Sequence, residues 1–264
     1  MADLTLRAFQ NTKVHAVRAG HARLNELFTT YYHAAREVVA ENLWPTRCAA
    51  CGTLGDLLCK TCSSQLDFID LWRACPICGA PYGMHQCCEC NSYSLKGIER
   101  STVPFDACVS AVRFNRVAAQ IVRTRKDGGE RRLVTLMAYH IACSIPPEWI
   151  KPESVVCFIP GSSRAIQKRG FDHAQELANE VARLLGIPVL NILAIQKARD
   201  QRGLGRHLRA QNVKGRFSVC RENMPAYIIL VDDVYTTGST VMAASDALKD
   251  AGAPRVYAAT FARV

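Results

Sequence analysis

From about position 104 onward, short apolar runs alternate with segments whose apolar residues recur every three or four positions. Val109 to Phe114 reads as a strand and Val117 to Arg125 as a short helix. Ser154 to Ile159 is an apolar strand stopped at Pro160. Phe171, Ala174, Leu177, Ala178, Val181 and Leu185 mark one face of an amphipathic helix, closed by Gly186 and Pro188. Val189 to Leu193 reads as a short strand, and Ile228 to Val231 has the branching of a fully buried one. Ser239 to Ala251 predicts a helix ending at Gly252, and Val256 to Phe261 a last strand. Such alternation predicts an α/β fold, a mostly parallel sheet with flanking helices. Upstream, Leu24, Leu27, Phe28, Tyr31, Ala35, Val38 and Val39 predict one amphipathic helix ended near Trp44-Pro45. Residues 45–98 follow neither period and are organised by cysteines. Three regions are therefore expected: a helical extension over 1–44, a cysteine module over 45–98 and an α/β domain over 99–264.

The strongest chemical signal lies where the run Ile228 to Val231 meets Asp232 and Asp233, followed by Thr236, Thr237, Gly238, Ser239 and Thr240. Ligands of open α/β sheets bind at the carboxyl ends of the strands, which is where this pattern puts the two acids. The small-hydroxyl turn opens a helix, whose N-terminus offers N–H groups and about half a positive charge to a phosphate. A vicinal diol one sugar length from a phosphate suits that arrangement, and ribose 5-phosphate is such a ligand. A buried strand, a polar turn and a helix cap explain the apolar run and the hydroxyls, but not two adjacent acids.

Of the 13 cysteines, nine fall between positions 48 and 90. Cys48-Cys51, Cys59-Cys62, Cys75-Cys78 and Cys87-Cys90 are four C-x2-C knuckles, with Cys88 spare. Two knuckles supply four thiolates for a tetrahedral zinc ion. Gly52 and Gly79 follow two of the knuckles, where a tight turn needs them. One or two structural Zn2+ ions are expected, in preference to disulfides or an iron–sulfur cluster; the pairing is either sequential or interleaved. Each ion contributes on the order of 10 kcal/mol to folding. Cys108, Cys143, Cys157 and Cys220 stand in apolar contexts and read as small buried hydrophobes.

The formal net charge of +10 suggests an anionic partner, a polyphosphate or nucleic acid. Basic residues concentrate between 113 and 132 and between 197 and 216. In the second stretch Arg202, Arg206 and Arg209 lie in a glycine-containing segment that reads as a mobile lid able to contact phosphate or DNA backbone. Arg164, Lys168 and Arg169 form a cationic loop after the strand ending at Ile159, suited to a pyrophosphate. No apolar stretch is long enough for a membrane span, and the first residues lack a signal-peptide core, so a cytoplasmic location is expected.

The sequence from Ile228 to Thr240 resembles the phosphoribosyl-pyrophosphate (PRPP) motif of type I phosphoribosyltransferases. The resemblance implies that Asp232 and Asp233 face the ribose hydroxyls and that Thr236 to Thr240 hold the 5-phosphate. Arg169-Gly170-Phe171 with Ala174, then Arg209, Asn212, Val213, Gly215 and Phe217, and also Lys126, Gly129 and Glu130, occur in an order that resembles the ComF family. Members are competence-associated, phosphoribosyltransferase-like proteins with an N-terminal cysteine module. The chain has Asp172 where the family usually has Asn, and Pro160-Gly161 where it usually has Val-Pro. The resemblance implies a part in natural transformation, in handling incoming single-stranded DNA. As an enzyme, the protein would use Asp232 and Asp233 to stabilise charge developing on the ribose, with Mg2+ accompanying PRPP. The alternatives are nucleotide salvage, or a non-catalytic protein that binds DNA or docks a competence helicase or recombination protein.

Overall fold

The computed structural model describes residues 45–163, 166–167, 170–196 and 215–264. The helix expected before Trp44, the cationic-loop residues Arg164, Lys168 and Arg169, and the lid residues Arg202, Arg206 and Arg209 lie outside the described residues. The chain divides into two units. In the smaller one the described residues are 45–48 and 52–57, where Cys48 N–H donates to the Thr53 carbonyl at 2.8 Å and Arg47 bridges Leu54. This closes a knuckle turn around Gly52, whose φ of +77° suits glycine.

The larger unit contains, in chain order, helices α1 (Lys60–Ser63) and α2 (Ser92–Lys96), strand β1 (Ala107–Arg113), helices α3 (Arg116–Lys126) and α4 (Leu133–Ser144), strand β2 (Ser154–Phe158), helix α5 (His173–Leu185), strands β3 (Leu193–Ile195), β4 (Phe217–Val219) and β5 (Tyr227–Tyr235), helix α6 (Ser239–Asp250) and strand β6 (Arg255–Arg263). Four strands form one sheet in the order β1-β6-β5-β2, every pair parallel. The mostly parallel sheet with flanking helices thus stands as the residue pattern predicts.

Side-chain alternation decides which helix covers which face. Cys108, Val155, Cys157, Ile228, Leu230, Val256 and Ala258 are buried together with Val241, Ala244 and Leu248 of α6 and with Cys75 and Cys78 of the cysteine module. Helices α4 and α5 pack on each other and on the strands. Local chemistry sets the helix ends. Asn115 caps α3 by accepting from the N–H groups of Val117 and Ala118, each at 3.0 Å. Asp172 caps α5 through Ala174 N–H at 2.9 Å, and Gly186 ends it with φ +68°.

Two expectations need correction, and one helix had no expectation at all. The strand predicted at 189–193 forms instead at Leu193–Ile195, as β3, antiparallel to β4; Val189 makes only a single bridge to Val156. Pairing with β4 draws the register there and buries Leu193 and Phe217. Helix α4 carries no charged stripe that would reveal it: Leu133, Met137, Ala138 and Ile141 are buried on one side, and Tyr139 and Cys143 stand exposed on the other. Cys108 and Cys157 are buried as expected, but Cys143 and Cys220 are exposed. Cys143 sits on α4 outside its buried set, and Cys220 lies just past the end of β4.

Candidate functional site

The register of β5 with β6 continues through Asp232↔Thr260 to Tyr235↔Arg263, so both acids lie within the strand rather than in the turn after it. Consecutive strand residues leave on opposite sides of the sheet, yet both carboxylates line one crevice toward the C-terminal end of β5. Asp233 pairs with Lys126 Nζ at 2.5 Å, at the last turn of α3. The Asp232 carboxylate turns back and accepts from the Asp233 N–H at 2.9 Å. Burial, aided by repulsion from the Asp233 carboxylate, pushes the Asp232 carboxyl up to about 7 from its ordinary 3.8.

The acids open onto a crevice of about 200 Å³ that is also lined by Lys126, Asp172, Arg216 and Thr240. A neighbouring cleft of about 660 Å³ shares Pro160, Gly161, Phe171 and Asp172 with it. The first alone is below the roughly 300 Å³ of small-ligand pockets; the adjoining cleft supplies the remaining room. Asp172 is more than a helix cap here. Its second oxygen accepts from Gly161 N–H at 2.8 Å, which ties the residues after β2 to the start of α5. An acid at this position therefore has a structural duty that the RGF pattern did not reveal. Arg125, beside Lys126, is 1% exposed and donates to the His173 carbonyl at 2.7 Å, fixing α3 to the start of α5.

The hydroxyl turn leads into α6. Gly238 holds φ +72° and ψ −4°, a conformation that favours glycine, and has no side chain to cap the helix. Ser239 N–H donates to Thr237 Oγ1 at 3.4 Å, and the positive dipole end of α6 lies at this turn. Thr237 and Ser239 are hydrogen-bonded through their hydroxyls at 2.7 Å. Of the five turn residues only Thr240 lines the crevice, while Thr236, Thr237 and Ser239 are exposed beside it. Lys126 and Arg216 join the site from α3 and from just before β4. Lys126 stood in the sequence as part of the Lys126-Gly129-Glu130 element of the family resemblance, with no role attached, and Arg216 as one of many basic residues. Each reaches the acids through tertiary packing.

The pH behaviour of Asp232 has a definite sign. Its carboxyl is raised in the folded state, so ionisation opposes folding. The contribution is absent below about pH 4 and grows as pH rises toward 7. Asp232→Asn should therefore match the unliganded wild type at pH 4 and exceed its stability at pH 8, by about 1–2 kcal/mol after allowing for partial exposure. Denaturant melts of both proteins at the two pH values measure this, and equal wild-type and variant stability at pH 8 would exclude a raised carboxyl.

The cysteines gather in the sequential order. Cys75 and Cys90 sulfurs are 3.6 Å apart, and those of Cys78 and Cys87 3.5 Å. All four Sγ atoms of Cys75, Cys78, Cys87 and Cys90 lie within 4.8 Å of one another. Cys51, Cys59 and Cys62 gather in the same way, with Cys51 Sγ 3.7 Å from Cys59 Sγ. Zinc–sulfur bonds of about 2.3 Å in a tetrahedron set sulfurs about 3.8 Å apart, whereas a disulfide would bring them to about 2.05 Å. The sets thus fit zinc and contain no disulfide. Cys88 is exposed and outside the set, so Cys87 is the better ligand.

No family model matches the chain. Competence protein F of Haemophilus influenzae is 37% identical over 101 residues, 36% of this chain and 44% of that protein. Competence protein ComFC of Bacillus subtilis is 24% identical over 196 residues, 74% of this chain and 79% of that protein. These relatives carry the ComF name. The resemblance seen in the ordered motifs is therefore matched by curated ComF homologues, although the chain spans less than half of the first one's length. Among solved structures, orotate phosphoribosyltransferase from Aeropyrum pernix is 13% identical, with a TM-score of 0.34 over 59% of this chain and 80% of that one. Among the described residues no helix is long and apolar enough to cross a membrane.

Proposed function

We propose that the protein binds PRPP, or a ribose 5-phosphate group, and acts in the cytoplasm on incoming single-stranded DNA during natural competence. The observation that carries the reading is the convergence of Asp232, Asp233, Lys126 and Thr240 on one crevice beside the uncapped start of α6. The ribose hydroxyls donate to the carboxylates of Asp232 and Asp233. The 5-phosphate accepts from the N–H groups and hydroxyls of Thr236, Thr237, Gly238, Ser239 and Thr240. Lys126 balances Asp233 and orients it toward the sugar. In a phosphoribosyl transfer, positive charge would develop at the anomeric carbon and the same two carboxylates would stabilise it. Mg2+, brought with PRPP, supplies charge neutralisation for the departing pyrophosphate. Arg164, Lys168 and Arg169 are assigned to the pyrophosphate from the sequence. The two zinc sets are Cys48, Cys51, Cys59 and Cys62, where the two-residue spacing supplies Cys48, and Cys75, Cys78, Cys87 and Cys90. Both are structural.

The names of the relatives support the competence role, and the +10 charge supports an anionic polymer as the partner. Arg202, Arg206 and Arg209 are assigned to the DNA backbone, and a helicase or recombination protein of the competence machinery is the expected protein partner. Binding through phosphates releases counterions, so affinity for single-stranded DNA should fall about 20-fold or more between 50 and 200 mM salt. Alanine at Arg202, Arg206 and Arg209 should flatten that slope by about 2 in log–log terms, read by fluorescence anisotropy. An unchanged slope removes the lid from the DNA contact. Calorimetry with PRPP and Mg2+ on the wild-type protein tests the ribose-phosphate reading directly: saturable 1:1 binding is expected, and none at millimolar ligand overturns it.

A further inference from the structure

The last strand carries a buried arginine whose contacts run from one cysteine set to the phosphate turn. Arg263 is 2% exposed although it lies one residue from the chain end. One guanidinium nitrogen donates to the Cys78 carbonyl at 2.7 Å, and the other lies 3.8 Å from the Cys78 sulfur and pairs with Glu89. Glu89 stands between the ligands Cys87 and Cys90. The guanidinium also stacks over the Tyr235 ring, 4.0 Å from its centroid. Tyr235 and Arg263 are register partners across β5 and β6, and Val264 N–H donates to the Tyr235 carbonyl at 3.0 Å.

Tyr235 then reaches the turn. It is 3% exposed, and a Cβ placed on Gly238 would meet its hydroxyl at 2.2 Å and its ring carbon Cζ at 2.4 Å. Gly238 therefore lies directly against the tyrosine ring, so the ring and the start of α6 are in contact. The third knuckle is itself fixed to the sheet. Cys108 N–H donates to the Ile77 carbonyl at 2.8 Å, and a Cβ on Gly79 would meet the Cys108 carbonyl at 2.5 Å.

A buried guanidinium needs compensating charge. Four thiolates around Zn2+ carry two net negative charges, so the metal-loaded set holds Arg263 electrostatically as well as through Cys78 and Glu89. Hydrogen bonds from the surroundings to metal-bound sulfur orient such ligands. We propose that Arg263 and Tyr235 are positioning residues that couple metal binding at Cys75, Cys78, Cys87 and Cys90 to the shape of the turn from Thr236 to Thr240. The proposal rests on the ribose-phosphate reading of that turn. Coupling of two binding events is reciprocal, so a ligand held better by the metal-loaded state must in turn hold the metal.

The test is zinc release to a colorimetric chelator, with and without saturating PRPP and Mg2+, alongside calorimetry of PRPP binding. In the wild type, PRPP should slow one zinc phase about fivefold or more and leave the other, from the Cys51, Cys59 and Cys62 set, unchanged. Arg263→Met should bring the factor close to one, and Arg263→Lys should restore part of it. If Arg263→Met does not fold, Tyr235→Leu, which leaves the contacts to Cys78 and Glu89 intact, should also abolish the effect. PRPP binding without change in either zinc phase overturns the coupling while sparing the ribose-phosphate reading. Absence of PRPP binding to the wild type removes both.

Discussion

PRPP with Mg2+ should raise the melting temperature of the wild-type protein, and the double replacement of Asp232 and Asp233 by asparagine should abolish the shift. At a ligand concentration 100 times Kd, binding contributes about 2.7 kcal/mol. For a domain of this size that corresponds to a shift of roughly 5–10 °C. Asparagine keeps the size of each side chain but replaces a charged acceptor by a neutral amide, and charge-assisted hydrogen bonds to the ribose hydroxyls are lost. Lys126 would also lose the carboxylate that it pairs with at 2.5 Å. The variant should fold: neutralising Asp232 removes a carboxylate whose ionisation is opposed by burial. A shift in the double variant as large as in the wild type would sink the ribose assignment.

The second large effect concerns the cysteine sets. Stripping metal with a chelator under reducing conditions, or replacing Cys78 by serine, should unfold the region around Cys75 to Cys90. Metal binding at such a site contributes on the order of 10 kcal/mol, comparable to the whole stability of a domain. Cys78 is the most sensitive choice because it is 1% exposed and its sulfur lies against both the Arg263 guanidinium and the Cys87 sulfur. Its loss leaves both an incomplete metal shell and a buried guanidinium with less compensation. Elemental analysis of the purified protein should give up to two zinc ions per chain, and Cys78→Ser should lose one. Cys88→Ser, at an exposed position outside the set, should leave metal content and melting unchanged. Iron in place of zinc, or an unchanged melting curve after complete stripping, would overturn the structural role.

The sequence by itself determined the strands β1, β2, β5 and β6, since their β-branched runs have nowhere to go but between two helical layers. It also determined that Asp232 and Asp233 stand side by side, because adjacency in the chain is adjacency in space, while the structure runs β5 past them to Tyr235. The knuckles were legible for the same reason: two residues separate each pair of ligands. What crossed longer stretches of chain was left to tertiary structure. Spacing alone allowed sequential or interleaved cysteine pairing, and only the sulfur positions of Cys75, Cys78, Cys87 and Cys90 decide for the sequential one. The short strand near Leu193 was placed by its partner at Phe217, more than twenty residues away in the chain, rather than by its own pattern. Lys126 reaches Asp233 only because tertiary packing brings the last turn of α3 to β5. Arg263 has no signal in the sequence around it; its role appears only where packing closes Cys78, Glu89 and Tyr235 around it. Local pattern sets each element and its chemistry; the convergence of distant charges is set by burial, which no local window contains.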